Sequence, residues 1–334
     1  MNTRVTLFAL VLLICSACSP RIMPPGKSIQ SPTIENDRFV MADGAALPLR
    51  RWKPGLKFKA PKAVIIALHG FNDYSKAFEN AGQFWAARGV LTYAFDQRGF
   101  GDAPFPGRWH GANALVDDLA EIAILVKNRH PSTPLFLLGE SMGGAVIMAA
   151  ADANSLPKID GIILSAPAVW SRSIMPAWQR ASLWVFAHAA PGLRISSSGF
   201  RRKPSDNIQM LKALSLDPKV IKRTRLDAVH GLVNLMDKAL AATPIISGPA
   251  LILYGRHEDI IPDAARKALE ARLPSDNCQI HVKDYGTGYH MLLRDLEARI
   301  VWTDIIAWIS NSITSLASET SKPQKKLACK PRLP

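Results

Sequence analysis

Five stretches of this chain are apolar at nearly every position: 63–68, 90–95, 135–138, 159–165 and 249–255. Runs of that length without alternation are what strands buried on both faces require, so they predict a parallel sheet. Between them the apolar positions change to helical spacing. Residues 78–88 read as a helix, 113–129 as another with Leu115, Leu119, Ile122 and Val126 on one side, the Ala-rich 145–153 as a third, and 264–272 as a fourth. Ahead of the first run, 38–41 and 47–52 flank Ala42-Asp43-Gly44, a hairpin signal because Asp-Gly supplies the positive dihedrals of a tight turn. A last strand over 279–283 and a closing helix over 296–316 complete the pattern. This alternation predicts an α/β fold, a mostly parallel central sheet flanked by helices, with functional loops at the carboxyl ends of the strands.

The pattern breaks between 168 and 247. No buried strand is legible there; instead come Trp170, Trp178, Trp184 and Phe186, then helical spacing over 208–214 and 226–242. Residues 37–167 and 248–318 are therefore expected to form the core, and 168–247 a helical cap inserted into it. Residues 174–190 are apolar almost all round apart from Arg180 and His188. That suits a mobile lid touching an acyl chain or a bilayer; plain packing of the lid on the core is the other reading. Arg201-Arg202-Lys203 and Lys219, Lys222, Arg223 and Arg225 are candidates for lipid phosphates, or simply solvated faces.

Both termini depart from the globular pattern. Residues 1–17 hold one Arg, an uncharged run from Val5 to Ile14 and small residues Ser16 and Ala17, as in a secretory signal too short to span a bilayer comfortably. Placed directly before Cys18, they resemble a bacterial lipobox, which makes Cys18 the expected lipidated first residue of the mature chain. Cys15 stands where an aliphatic residue is usual, and a plain signal peptide or an uncleaved anchor are the alternatives. Residues 18–36, with four prolines and no periodicity, read as a tether, and 319–334 as a basic disordered tail. A net charge of +14 permits anionic partners. The leader favours a bacterial envelope, anchored on the periplasmic side or secreted to the periplasm, over nucleic acid. An oxidising compartment would allow Cys278 and Cys329 to pair.

The chemistry centres on Gly139-Glu140-Ser141-Met142-Gly143, where an apolar run enters G-x-S-x-G and then a helix. That order reads strand, sharp turn, helix, with small residues on both sides so that strand and helix pass without collision. The helix start aims unpaired N–H groups, Met142's among them, at an oxyanion formed on Ser141. Taken alone, the five-residue pattern also arises by chance in Gly-rich loops. A serine nucleophile needs a base and a group to orient it. His290, in the Gly-rich loop after the last strand, is the candidate base, and the acid is expected after Gly255, where Glu258 and Asp259 compete. No Cys/His cluster has ligand spacing and no phosphate-binding glycine motif follows a strand, so no metal and no organic cofactor is implied.

At four places the resemblance to a family is specific: His69-Gly70-Phe71-Asn72-Asp73, Asp96 to Gly101, Gly139 to Gly144, and Gly288 to Asp295. These resemble the monoacylglycerol lipase and lysophospholipase group of α/β-hydrolases, over roughly residues 37–316. The resemblance implies a capped α/β-hydrolase fold and hydrolysis of carboxylic esters of monoacylglycerols or lysophospholipid-like lipids. It also implies that His69-Gly70 brings the N–H of Phe71 in as the second oxyanion donor. In that family the acid is usually an Asp three residues after the strand-end Gly, with one residue separating it from an aliphatic pair and a Pro. Counting from Gly255 or from Pro262 gives Glu258, a departure in residue type. The resemblance reaches serine aminopeptidases as well, so a peptidase or amidase is the enzymatic alternative. An inactive envelope lipoprotein that only binds is the other, against which the intact Ser141 and His290 argue.

Overall fold

The computed structural model describes residues 19–151, 155–196 and 202–319. At one edge β1 (Thr33–Ile34), β2 (Arg38–Val40) and β3 (Ala46–Trp52) run antiparallel, the last two being the expected hairpin. β3 pairs antiparallel with β5 (Val90–Phe95). From there the sheet is parallel through β4 (Ala63–Leu68), β6 (Leu135–Glu140), β7 (Gly161–Ser165), β10 (Ala250–Gly255) and β11 (Ile280–Tyr285). The spatial order is β1-β2-β3-β5-β4-β6-β7-β10-β11.

The apolar runs are explained by two cores. In β4, Val64, Ile66 and Leu68 join one hydrophobic cluster while Ala63, Ile65 and Ala67 join another across the sheet. The first is covered by α2 (Ala112–Arg129), α3 (Met142–Ala150) and α7 (Asp263–Glu270). The second is covered by α1 (Glu79–Ala86) and α8 (Ala298–Glu319) through Trp85, Val301, Ile305 and Ile309. Each strand residue thus loses water on whichever side it faces, and no polar alternation is left to read.

The segment between β7 and β10 contains α4 (Ala177–Ala189), β8 (Arg194–Ser196), α5 (Ile208–Leu216), β9 (Arg223–Arg225) and α6 (Leu226–Ala242). Two features differ from expectation. β8 and β9 pair as a short antiparallel ribbon where no strand was legible, because three exposed or half-exposed residues each, with Ile195 the one apolar side chain among them, give no apolar run. α6 is a core helix as much as a cap helix. Val233, Leu235, Met236, Ala239 and Leu240 belong to the first core, and a Cβ on Gly231 would lie 2.2 Å from Trp109 Nε1.

The stretch 18–36, expected to be a tether, lies against the domain from Met23 onwards. Met23 N–H donates to Trp109 O, Ile29 N–H to Ala42 O, and β1 adds to the sheet edge. The anchor beneath it is Arg98, whose buried guanidinium grips Asp118 (2.7 and 2.8 Å) and Asp43 (2.7 Å), with Asp43 in turn accepting from Gly26 N–H. Signal, Cys18, Cys329 and the tail beyond 319 lie outside the described residues. Cys278 is disulfide-bonded.

Candidate active site

The chain leaves β6 and enters α3 through Ser141, whose backbone sits at φ 51°, ψ −110°. A non-glycine residue at such angles costs about 1–3 kcal/mol and persists only where its surroundings hold it. Here they do: Ser141 N–H donates to Ser165 O at 2.9 Å, and Ser141 O accepts from Ala145 and Ala168 N–H at 3.1 and 2.9 Å. The flanking glycines are required by contact. A Cβ on Gly139 would lie 2.4 Å from the Gly143 carbonyl carbon, and one on Gly143 would lie 2.1 Å from Leu68 O. The first N–H groups of α3 have no intrahelical partner, and Met142 supplies the first of them at Ser141's own turn.

Beside this turn lies the end of β4. A Cβ on Gly70 would sit 3.5 Å from Ser141 Cβ, so the His69-Gly70-Phe71 segment passes directly against the serine. His69 is fully buried and its Nε2 accepts from Gln97 N–H at 3.0 Å, which places its proton on Nδ1, donating to Gly70 O at 2.8 Å. Burial lowers its pKa, so the ring is neutral at neutral pH. His69 is therefore a brace between two strand ends, reinforced by Gln97 Nε2 donating to His69 O at 2.9 Å. Phe71 is held edge-on by Phe100 and Trp109, at centroid distances of 5.6 and 6.4 Å.

The ends of β10 and β11 are zipped together. A Cβ on Gly255 would lie 2.3 Å from Gly288, and His257 N–H donates to Gly288 O at 2.9 Å. This contact brings the loop after β10 onto the loop carrying His290. Glu258 Oε2 lies 2.8 Å from His290 Nδ1, both side chains being 8% exposed, while Oε1 accepts from Ile260 and Ile261 N–H at 2.7 and 2.9 Å. Burial raises the Glu258 pKa, but the His290 charge and these hydrogen bonds outweigh it and leave the carboxyl below its usual value. Asp259, the rival acid, points elsewhere: its Oδ2 accepts from Lys203 N–H at 3.3 Å.

The basic clusters expected at lipid phosphates are largely engaged inside the protein. Arg202 donates to Ile260 O at 3.0 Å and Lys203 lies over the Tyr289 ring at 4.7 Å; Arg201 is outside the described residues. Lys219 pairs with Asp102, Lys222 donates to main-chain carbonyls, and Arg225 pairs with Asp227. Residues 202–207 in fact strap the His290 loop. Met291 N–H donates to Pro204 O at 2.9 Å, Ser205 Oγ to Asp295 Oδ1 at 2.6 Å and Asn207 Nδ2 to Arg294 O at 2.9 Å. Sequence reasoning missed this strap and the buried Arg294, Asp73 and Glu140. The available signal was Glu140, a charged residue ending an apolar strand.

The family model described as serine aminopeptidase, S33, matches residues 59–297. The chain belongs to that family. It is 26% identical over 292 residues to the monoacylglycerol lipase of Mycolicibacterium smegmatis, covering 84% of this chain and 98% of that one. It is 28% identical over 308 residues to the monoglyceride lipase of Rattus norvegicus, covering 89% and 96%. A soluble variant of the Saccharomyces cerevisiae monoglyceride lipase, solved with a substrate analogue, superposes with TM-score 0.69 at 20% identity over 87% of this chain and 99% of that one. The α/β-hydrolase fold is thereby established, with the sheet order and cap described above.

Proposed function

We propose that this chain is a serine hydrolase that cleaves carboxylic esters of monoacylglycerols or lysophospholipid-like lipids at the bacterial cell envelope. The observation that carries the reading is the Glu258–His290 pair, buried on the same loop cluster as a serine in a strained strand-to-helix turn. In this reading Ser141 Oγ attacks the ester carbonyl carbon while His290 Nε2 takes the hydroxyl proton. The carbonyl electrons move onto oxygen, where the N–H groups of Phe71 and Met142 hold them. Collapse expels the alcohol, which takes the proton from His290 and leaves an acyl-serine. Water then repeats the sequence and releases the fatty acid and Ser141. Glu258 accepts the Nδ1 proton's hydrogen bond and steadies the imidazolium. The ester specificity is supported by the names of the relatives. A panel of acyl glycerols and lysophospholipids run beside aminoacyl anilides tests it, and faster anilide turnover would replace it with the aminopeptidase alternative.

The membrane side of the proposal has two supports. On α4 only Ala187 is buried, whereas Trp178, Trp184, Val185 and Phe186 are each at least half exposed, continuing into Leu193 at 53%. An apolar face of this size on an amphipathic element suits a lipid surface. The doubly substituted Trp184→Ser, Phe186→Ser protein should lose at least about tenfold in turnover of vesicle-borne substrate: two large side chains at the low end of full burial are worth about 3 kcal/mol, and half of that, for shallow insertion, is already about tenfold. Turnover of a soluble short-chain ester should stay within twofold. Equal losses on both substrates would reduce α4 to a packing element.

The proposed compartment is outside the cytosol, in keeping with the disulfide at Cys278. Its anchor is proposed to be lipid on Cys18, and Cys18→Ala should leave an unprocessed precursor or a chain released from membranes. An intact mass matching an unmodified mature chain in the wild type would refute lipidation.

A further inference from the structure

Arg294 is buried, four residues after His290, and reaches two carboxylates on other strand ends. Its Nη1 lies 2.7 Å from Asp73 Oδ2, and its Nη2 lies 3.3 and 3.5 Å from the two oxygens of Glu140. The side chains of all three are at most 10% exposed. Their positions in the chain give the contact its meaning. Asp73 is two residues beyond Phe71 on the loop after β4, Glu140 directly precedes Ser141 at the end of β6, and Arg294 lies on the loop after β11. One guanidinium therefore spans the segments that carry the proposed oxyanion donor, nucleophile and base.

The main chain that carries the guanidinium is fixed as well. Arg294 N–H donates to Met291 O at 2.8 Å, and Arg294 O accepts from Asn207 Nδ2 at 2.9 Å. The next residue, Asp295, accepts from Tyr289 N–H at 2.7 Å and from Ser205 Oγ at 2.6 Å, which closes the loop around His290. A planar fork with separate nitrogens can hold two carboxylates at set distances, whereas an ammonium on a flexible stem acts as a point charge and fixes neither.

We propose that Arg294 is a positioning residue for the hydrolytic reaction, setting the spacing of the Phe71, Ser141 and His290 segments through Asp73 and Glu140. The inference rests on the serine-hydrolase reading above. It also accounts for Glu140 at the variable position of G-x-S-x-G: a carboxylate only 2% exposed needs a buried cation, and Arg294 is that cation.

The test uses the full chain and two variants. Arg294→Lys keeps the charge and loses the fork; Arg294→Met combined with Asp73→Asn and Glu140→Gln removes the fork and leaves no buried charge unpaired. Each is assayed for melting temperature, for kcat and KM on a soluble short-chain ester, and for the rate of fluorophosphonate labelling. Displacement of reacting groups by about 1 Å costs on the order of a hundredfold. Each variant that folds is expected to have kcat down about 10–100-fold, KM within about threefold and labelling slowed in proportion to kcat. A folded variant with kcat within twofold of wild type overturns the proposal. So does failure of both to fold, which would assign Arg294 to the fold alone. Absence of labelling at Ser141 in the wild type is a separate result that removes the hydrolase reading, and this proposal with it.

Discussion

Ser141→Ala is expected to lose about a million-fold in kcat on any ester the protein turns over, the scale on which triad nucleophiles act. The fold should be unaffected. The strained backbone at φ 51° is held by main-chain bonds to Ser165, Ala145 and Ala168, none of which involves the hydroxyl. A companion substitution separates strain from chemistry. Ser141→Gly also lacks the hydroxyl but tolerates positive φ, so it should melt higher than Ser141→Ala while being as inactive. Purified Ser141→Ala turning over ester within tenfold of wild type would end the serine-hydrolase reading. A Gly variant no more stable than the Ala variant would show that the turn stores no usable strain.

The core was legible because burial on two faces writes itself into the sequence. Val64 to Leu68 leave no solvent side, and the glycines around Ser141 are set by contacts of 2.1–2.4 Å that no larger residue survives. What was illegible depends on partners far away in the chain. β1 is two residues long, and β8 and β9 three each, so their pairing is fixed by distant hydrogen bonds and not by any local period. The apolar circumference of residues 174–190 fits a buried helix equally well; only the exposure of Trp178 and Trp184 in α4 decides for a surface element. Likewise Arg201-Arg202-Lys203 looks like a charge cluster, yet Arg202 and Lys203 meet Ile260 O and the Tyr289 ring. The Arg294 bridge joins positions 73, 140 and 294, a spacing that carries no pattern at all.

The second large effect sets residue counting against residue type at the acid. Counting from Gly255 and Pro262 selects Glu258; chemical habit in the family selects an aspartate, and Asp259 is adjacent. In the structure Glu258 Oε2 meets His290 Nδ1 at 2.8 Å, and the loop bends so that Oε1 takes the N–H groups of Ile260 and Ile261. The extra methylene is accommodated by that bend. Glu258→Gln tests the arrangement at nearly constant shape. Its amide oxygen is expected to keep the two N–H groups, which turns the NH2 towards His290 Nδ1. Two donors cannot face each other, so the imidazole proton moves to Nε2 and the base can no longer accept from Ser141. Trapping the histidine in that tautomer costs about ten-thousand-fold in kcat in a serine triad. Asp259→Asn removes a carboxylate whose contact is Lys203 N–H at 3.3 Å and should change kcat by less than about tenfold. Burial works to raise the Glu258 pKa, but attraction to His290 and the hydrogen bonds from His290, Ile260 and Ile261 hold it below the ordinary carboxylate range, so it remains ionised at neutral pH and the comparison can be made there. The reverse order of effects would hand the role to Asp259, and two near-silent variants would place the acid elsewhere in the chain.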